Sequence, residues 1–159
     1  MKAVVQNDYG SPDVLKLAEV AEPAMKENEV RVRVKATALN AGDIYFMKGD
    51  PWPTRLVGGF PKPKNYILGW DVAGVVEAVG SKVTQFRPGD EVFAACNKAL
   101  AEYASVAEDK LALKPANLTF EQAAAVPTAA LTVLQGLRDV GKVQPGCWFI
   151  KNIKCSAGC

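Results

Sequence analysis

Glu29-Val30-Arg31-Val32-Arg33-Val34-Lys35-Ala36 alternates charged and apolar side chains over four repeats. That period of two is the signature of a β-strand with one wet and one buried face. Downstream, the chain turns strongly apolar from Ile67 to Val79, with Gly69, Gly74 and Gly80 where backbones approach closely or bend. Phe86-Arg87-Pro88-Gly89-Asp90-Glu91-Val92-Phe93 sets a Pro-Gly turn before another apolar strand, and Glu102 to Val106 and Lys110 to Leu113 continue the short-strand rhythm. Upstream, Val4-Val5 and Leu15 to Val20 predict a hairpin, with turn chemistry from Gly10-Ser11-Pro12-Asp13. Strands at this spacing predict a closed or nearly closed β unit.

Helical signals are fewer. Ala41 to Gly49 reads as a short helix stopped by glycine, followed by an extended surface loop through Pro51, Pro53, Gly58, Gly59, Pro61 and Pro63. Thr119-Phe120-Glu121-Gln122 is a capping-box pattern opening a helix through Val126, and a second helix is expected from Thr128 to Val140, ending at Gly141. Cys147-Trp148-Phe149-Ile150 reads as a short terminal strand. The fold class expected is mainly β with α, an α+β arrangement.

Composition narrows the partners. Nineteen Lys and Arg against seventeen Asp and Glu give a net charge of +2 over 159 residues, so nucleic acid is not expected as a partner. The longest stretch free of charged side chains, Gln122 to Leu137, is interrupted by Pro127 and is too short to span a bilayer, so no membrane partner is expected either. The start of the chain lacks a secretory pattern, and the expected location is cytoplasmic. There is no histidine, which removes the commonest metal ligand and the commonest general base near neutral pH. Cys96, Cys147, Cys155 and Cys159 form no CxxC pair. A chelate or disulfide through Cys155 and Cys159 is a lesser alternative to exposed thiols on an irregular tail.

Gly69-Trp70-Asp71-Val72-Ala73-Gly74-Val75-Val76-Glu77-Ala78-Val79-Gly80, Phe86 to Val92 and Ala101-Glu102-Tyr103-Ala104 carry a resemblance to a known family. Ala36-Thr37-Ala38-Leu39-Asn40-Ala41-Gly42-Asp43 and Ala125 to Thr132 extend it in the same order. Over residues 1 to 146 the chain resembles the N-terminal part of the medium-chain dehydrogenase/reductase superfamily. The resemblance implies a GroES-like β-barrel followed by two C-terminal helices and a short terminal strand. It implies a GroES-like catalytic domain over 1–126, and over 127–159 a linker helix and the truncated start of a Rossmann domain. Zinc alcohol dehydrogenases of that superfamily carry Cys where this chain has Asn40, and Gly-His-Glu where it has Gly69-Trp70-Asp71. An amide and an indole do not replace a thiolate and an imidazole on zinc. The chain is therefore most similar to the zinc-independent quinone oxidoreductase branch, and no metal residues are assigned.

The branch's activity implies NADPH as hydride donor and a small quinone or enone as substrate. Carried over by position, Asn40, Asp43 and Tyr45 are the implied catalytic residues, and Asn40, Thr128 and Thr132 the implied cofactor-binding residues. Each has a structural alternative. Asn40 also suits a turn or cap, and Asp43 suits the N-terminal turn of a helix. Tyr45 also suits an amphipathic core contact. Thr128 also suits a helix start, while Thr132 is expected to support it from one helical turn away. Trp70 is expected as a packed core indole, with a pocket wall as the alternative.

Val143-Gln144-Pro145-Gly146 resembles the family's entry into a Rossmann domain, yet no glycine-rich turn or ribose-binding acid follows in this sequence. Weak or no NADPH binding is thus expected of this chain alone, and an inactive or crippled reductase. The alternative is a non-enzymatic binding or assembly module on the same barrel, self-associating through the surface left by the missing domain.

Overall fold

The computed structural model describes residues 1–64 and 67–144. Strand β1 (Lys2–Gln6) pairs antiparallel with β2 (Leu15–Glu19), Val4 opposite Leu17, after a 3-10 turn at Pro12–Val14. Strands β3 (Glu29–Ala38), β4 (Asp71–Val79), β5 (Glu91–Ala95), β6 (Tyr103–Ala107) and β7 (Leu111–Leu113) form an antiparallel sheet in the order β6-β3-β4-β5-β7. Helices α1 (Ala41–Lys48), α2 (Pro53–Gly58), α3 (Phe120–Ala124) and α4 (Pro127–Leu134) complete the regular elements.

The alternation in β3 does what period two demands. Val30 and Val32 are fully buried while Arg33 and Lys35 face solvent. Val30 lies opposite Val79 and Val106, and Val32 opposite Val76 and Ala104, so β3 joins its two neighbours through aliphatic cross-strand pairs. With Val72, Val92, Ala94 and Leu111 these residues form the main core. Register shifts between Arg31 and Val32 and between Val34 and Ala36 bend β3 against β4 and help the sheet curl into a half-barrel.

Strand β4 is apolar on both faces because both are covered. Val72 and Val76 enter the main core, while Ala73 turns the other way to meet Ala123 and Ala124 of α3. Small side chains on each side let the helix lie close to the sheet. The β1–β2 hairpin is fastened by the Val4 N–H donating to Leu100 O at 2.9 Å, the Glu102 N–H donating to Lys2 O at 3.0 Å, and a bridge between Val5 and Ile67. This is the mainly β, α+β arrangement expected, consistent with a GroES-like domain.

Two local readings are corrected. The expected loop after Pro51 contains α2, which Pro53 starts with a φ already suited to the first helical turn. The helix expected to run regularly to Val140 leaves α geometry after Leu134 and continues as a π-helical stretch, Gln135–Val140. Its Gly141 N–H donates to Gly136 O at 2.8 Å. Side chains along that stretch are solvent-exposed, as are those of Ala129 to Leu134 before it. The expected terminal strand Cys147–Ile150 and the thiols Cys147, Cys155 and Cys159 lie outside the described residues.

Candidate functional site around Asp71

Three elements converge on one carboxylate. Asp71 opens β4 and is fully buried. Its Oδ2 accepts from the Asn40 amide Nδ2 at 2.6 Å. Its Oδ1 accepts twice from Thr128, from the backbone N–H at 2.9 Å and from the hydroxyl at 2.7 Å. The Asp71 carbonyl in turn accepts from the Thr37 hydroxyl at 2.7 Å. Asn40 precedes α1 and Thr128 is the second residue of α4, so this carboxylate joins two helix starts to the head of β4. A buried carboxylate is tolerable when several donors replace its lost water, as here.

Asp43, in the first turn of α1, makes a second such junction. Its Oδ2 accepts from the Asn40 N–H at 2.8 Å and its Oδ1 from the Gly69 N–H at 3.1 Å. Gly69 holds φ at +97°, a left-handed conformation that turns its N–H toward Asp43 at no side-chain cost. Burial pushes the Asp43 carboxyl up from the ordinary range; its two N–H donors oppose that rise and the nearby Asp71 charge adds to it. Asn40 thus starts α1 through its backbone and spends its side-chain amide on Asp71, combining the cap and site readings of the sequence.

Thr132 donates its hydroxyl to the Thr128 carbonyl at 2.7 Å, one helical turn back. Tyr45 is 53% exposed and does not line the adjacent cavity. Its neighbour Phe46 does, meeting Trp70 edge-on with ring centroids 5.3 Å apart. Trp70 is half-buried and forms a wall rather than a core plug. Gly42 of α1 permits that position, since a Cβ there would occupy the space of the Trp70 indole. The cavity, of about 240 Å³, is bounded by Tyr9, Phe46, Gly69 and Trp70 among others.

Sequence reasoning singled out Asn40, Asp43, Thr128 and Thr132 but assigned no role to Asp71, which bonds both Asn40 and Thr128. The available signal was an acid at the head of the apolar run Val72 to Val76, where a free charge would face only core. Cys96 also borders the region: its N–H donates to Trp70 O at 2.7 Å, and burial, with the Asp71 charge, pushes its thiol up to about 12. Among the described residues no group of three or more His, Cys, Asp or Glu side chains is arranged to hold a metal ion. No helix among them is long and apolar enough to cross a membrane.

Comparison with known proteins agrees with the fold. Residues 26–135 match the alcohol dehydrogenase GroES-like domain. The chain is 41% identical over 155 residues to the 2-methylene-furan-3-one reductase of Solanum lycopersicum, covering 89% of this chain and 38% of that protein. It is 42% identical over 148 residues to the chloroplastic NADPH-dependent alkenal/one oxidoreductase of Arabidopsis thaliana, covering 86% and 37%. The quinone oxidoreductase structure from Coxiella burnetii superposes with a TM-score of 0.81 at 33% identity, over 92% of this chain and 47% of that one. The chain spans well under half the length of these curated relatives. It belongs to the quinone oxidoreductase branch of the medium-chain dehydrogenase/reductase superfamily, as a chain built on the alcohol dehydrogenase GroES-like domain.

Proposed function

We propose that this chain is the substrate-binding and catalytic domain of an NADPH-dependent quinone or enone reductase that transfers hydride without zinc, crippled or inactive when isolated. The observation that carries the reading is the buried Asp71 carboxylate holding Asn40 and Thr128 together, next in sequence to Trp70 of the aromatic-walled cavity. The donor set does not suit zinc. Both Asp71 oxygens are already bonded, Asn40 offers an amide, and Trp70 presents an indole.

Bound NADPH would supply the hydride. With Nδ2 held by Asp71, Asn40 keeps its Oδ1 as an acceptor, and the Thr128 oxygen keeps acceptor capacity after its proton is directed to Asp71. Both suit the NH₂ of a nicotinamide carboxamide. Thr132 steadies the first turn of α4 that carries Thr128. Tyr45 remains a candidate donor to substrate from the exposed side of α1. Asp43 acts as a positioning residue, tying the Asn40 backbone to Gly69 and so to the cavity wall. The protein's contribution is then placement and dipole orientation rather than covalent chemistry. A cytosolic location, where thiols stay reduced, completes the reading.

The test is a titration of the chain with NADPH, followed in the same cuvette by 1,4-benzoquinone while the nicotinamide absorbance is recorded. Expected is weak binding with slow oxidation of NADPH that Asn40→Ala and Thr128→Ala abolish. Saturable binding with rapid turnover by the isolated chain, or turnover that both variants leave intact, would overturn the reading.

A second reading, an assembly module, is favoured by one feature. Leu131, Leu134 and Leu137 lie exposed beside Phe93 and Leu111 around a groove of about 1270 Å³. Large apolar side chains left exposed together in this way favour association. A second copy of the chain is the occupant on this reading, and sedimentation velocity over a concentration series tests it.

A further inference from the structure

The stretch from Trp52 to Phe60 is turned inside out. Trp52, Leu56, Val57 and Phe60 are between 58% and 74% exposed. Arg55, among them, is half-buried: its Nε donates to Gly49 O at 3.0 Å, and its guanidinium carbon lies 5.0 Å from the centre of the Tyr9 ring. A surface helix of a globular domain ordinarily does the opposite, burying its apolar stripe and leaving its charges outside. Hydrogen bonds hold the arrangement: the Tyr9 phenol donates to Gly59 O at 2.6 Å, the Gly59 N–H to Arg55 O at 2.8 Å, and the Lys64 N–H to Gly58 O at 2.7 Å. Trp52 has helical backbone angles, φ −47° and ψ −38°, and stands four positions before Leu56, so those two side chains share a face. Single apolar side chains on a surface need no explanation, whereas a group of large ones marks a contact.

The charge around this group narrows the choice of partner. Residues 44–64 carry Lys48, Arg55, Lys62 and Lys64 against one acid, Asp50, a net +3 in a chain whose whole net charge is +2. Lys48, Lys62 and Lys64 are exposed, and Lys62 shares its charge with Asp8 at 3.1 Å. Protein–protein contacts take up aromatic residues but are depleted in lysine. The surface of an anionic bilayer attracts lysine, and tryptophan, phenylalanine and leucine settle at its headgroup boundary.

We propose that Trp52, Leu56, Val57 and Phe60, together with Lys48, Lys62 and Lys64, dock this chain on the surface of an anionic lipid bilayer. The apolar side chains enter the headgroup boundary while the lysine ammonium groups meet the anionic headgroups. The expectation of no membrane partner rested on the lack of a spanning segment, and a surface contact of this kind needs none. The proposal goes beyond the reductase reading and stands independently of it.

Co-sedimentation of the full chain with vesicles tests this, using phosphatidylcholine alone and equal parts of phosphatidylcholine and phosphatidylserine. Binding to the anionic vesicles is expected to be about tenfold or more tighter than to the neutral ones, and to weaken as salt is added. Lys48→Gln combined with Lys64→Gln is expected to weaken it about tenfold or more. Leu56→Ser combined with Phe60→Ser is expected to cost about the same factor through lost apolar burial. Leu134→Ser, at an exposed apolar position on α4, should leave vesicle binding unchanged. All five positions are exposed, and circular dichroism verifies that each variant folds. No binding to anionic vesicles, equal binding to both kinds, or either double variant binding as the unaltered chain does would overturn the proposal. A loss on Leu134→Ser as large as that on Leu56→Ser with Phe60→Ser would do so too. A concentration-dependent dimer that Leu56→Ser with Phe60→Ser dissolves, without vesicle binding, would assign the surface to a second copy instead. Neither NADPH nor quinone is present, so failure here and failure of the reductase reading are separate results.

Discussion

Thr128 gives both of its donors to one oxygen of Asp71, the N–H at 2.9 Å and the hydroxyl at 2.7 Å, across 57 positions of sequence. A single side chain thus meets one of the free N–H groups at a helix start and anchors that helix to the sheet. The negative charge at the start of α4 also suits the helix dipole. Because Asn40 shares the same carboxylate, disturbance at either helix is felt at the other.

Asp71→Asn should therefore destabilise by about 2–3 kcal/mol, since the substituted amide cannot accept from all three donors. Thr128→Val, which keeps the backbone bond, should cost about 1.5–2 kcal/mol. The double variant should cost less than the sum of the singles, with a coupling of about 1 kcal/mol or more. Urea unfolding of the four proteins measures this, and strict additivity would contradict a shared bond.

Asp43 predicts a pH dependence. Its folded-state pKa lies above the ordinary value of 3.8, chiefly through burial. The folded chain then holds that proton more tightly than the unfolded one. Its contribution to stability is fully present below the ordinary value and is lost as pH rises through the folded pKa. Carboxyl ¹³C titration should place its midpoint above 3.8, and Asp43→Asn should flatten the fall in unfolding free energy over that window. A midpoint at or below the ordinary value would refute the assignment.

Cys96 should be chemically silent. With its thiol pushed up to about 12, the reactive thiolate is scarce at about pH 8. Iodoacetamide treatment of the folded chain, read by peptide mass spectrometry, should leave Cys96 unmodified until urea is added. Alkylation at the rate of a free cysteine would show that the site is open.

Gly42→Ala should destabilise by about 1–3 kcal/mol, although alanine is the better helix former. The new methyl would enter the space of the Trp70 indole and force it from Phe46. Thermal unfolding and near-ultraviolet circular dichroism should both change, and an unchanged aromatic spectrum would place Trp70 elsewhere.

The alternation of Glu29 to Ala36 determined a strand with one buried face, because burial of every second side chain leaves few other conformations open. The capping box at Thr119 and Gln122 likewise set a helix start, since its bonds are local: the Gln122 N–H donates to the Thr119 hydroxyl at 3.2 Å. The ordered motifs from Ala36 to Thr132 carried the family and the order of Asn40, Asp43 and Thr128 along the chain.

Only the tertiary structure decided what these residues bond to. Asp71 stands 31 positions from Asn40 and 57 from Thr128, and no local spacing encodes a partnership between residues that meet through sheet and helix packing. The same holds for α1, where one position separates exposed Tyr45 from Phe46 on the cavity wall. That one-step difference, a rotation of about 100° around the helix, was fixed by how α1 docks against Trp70.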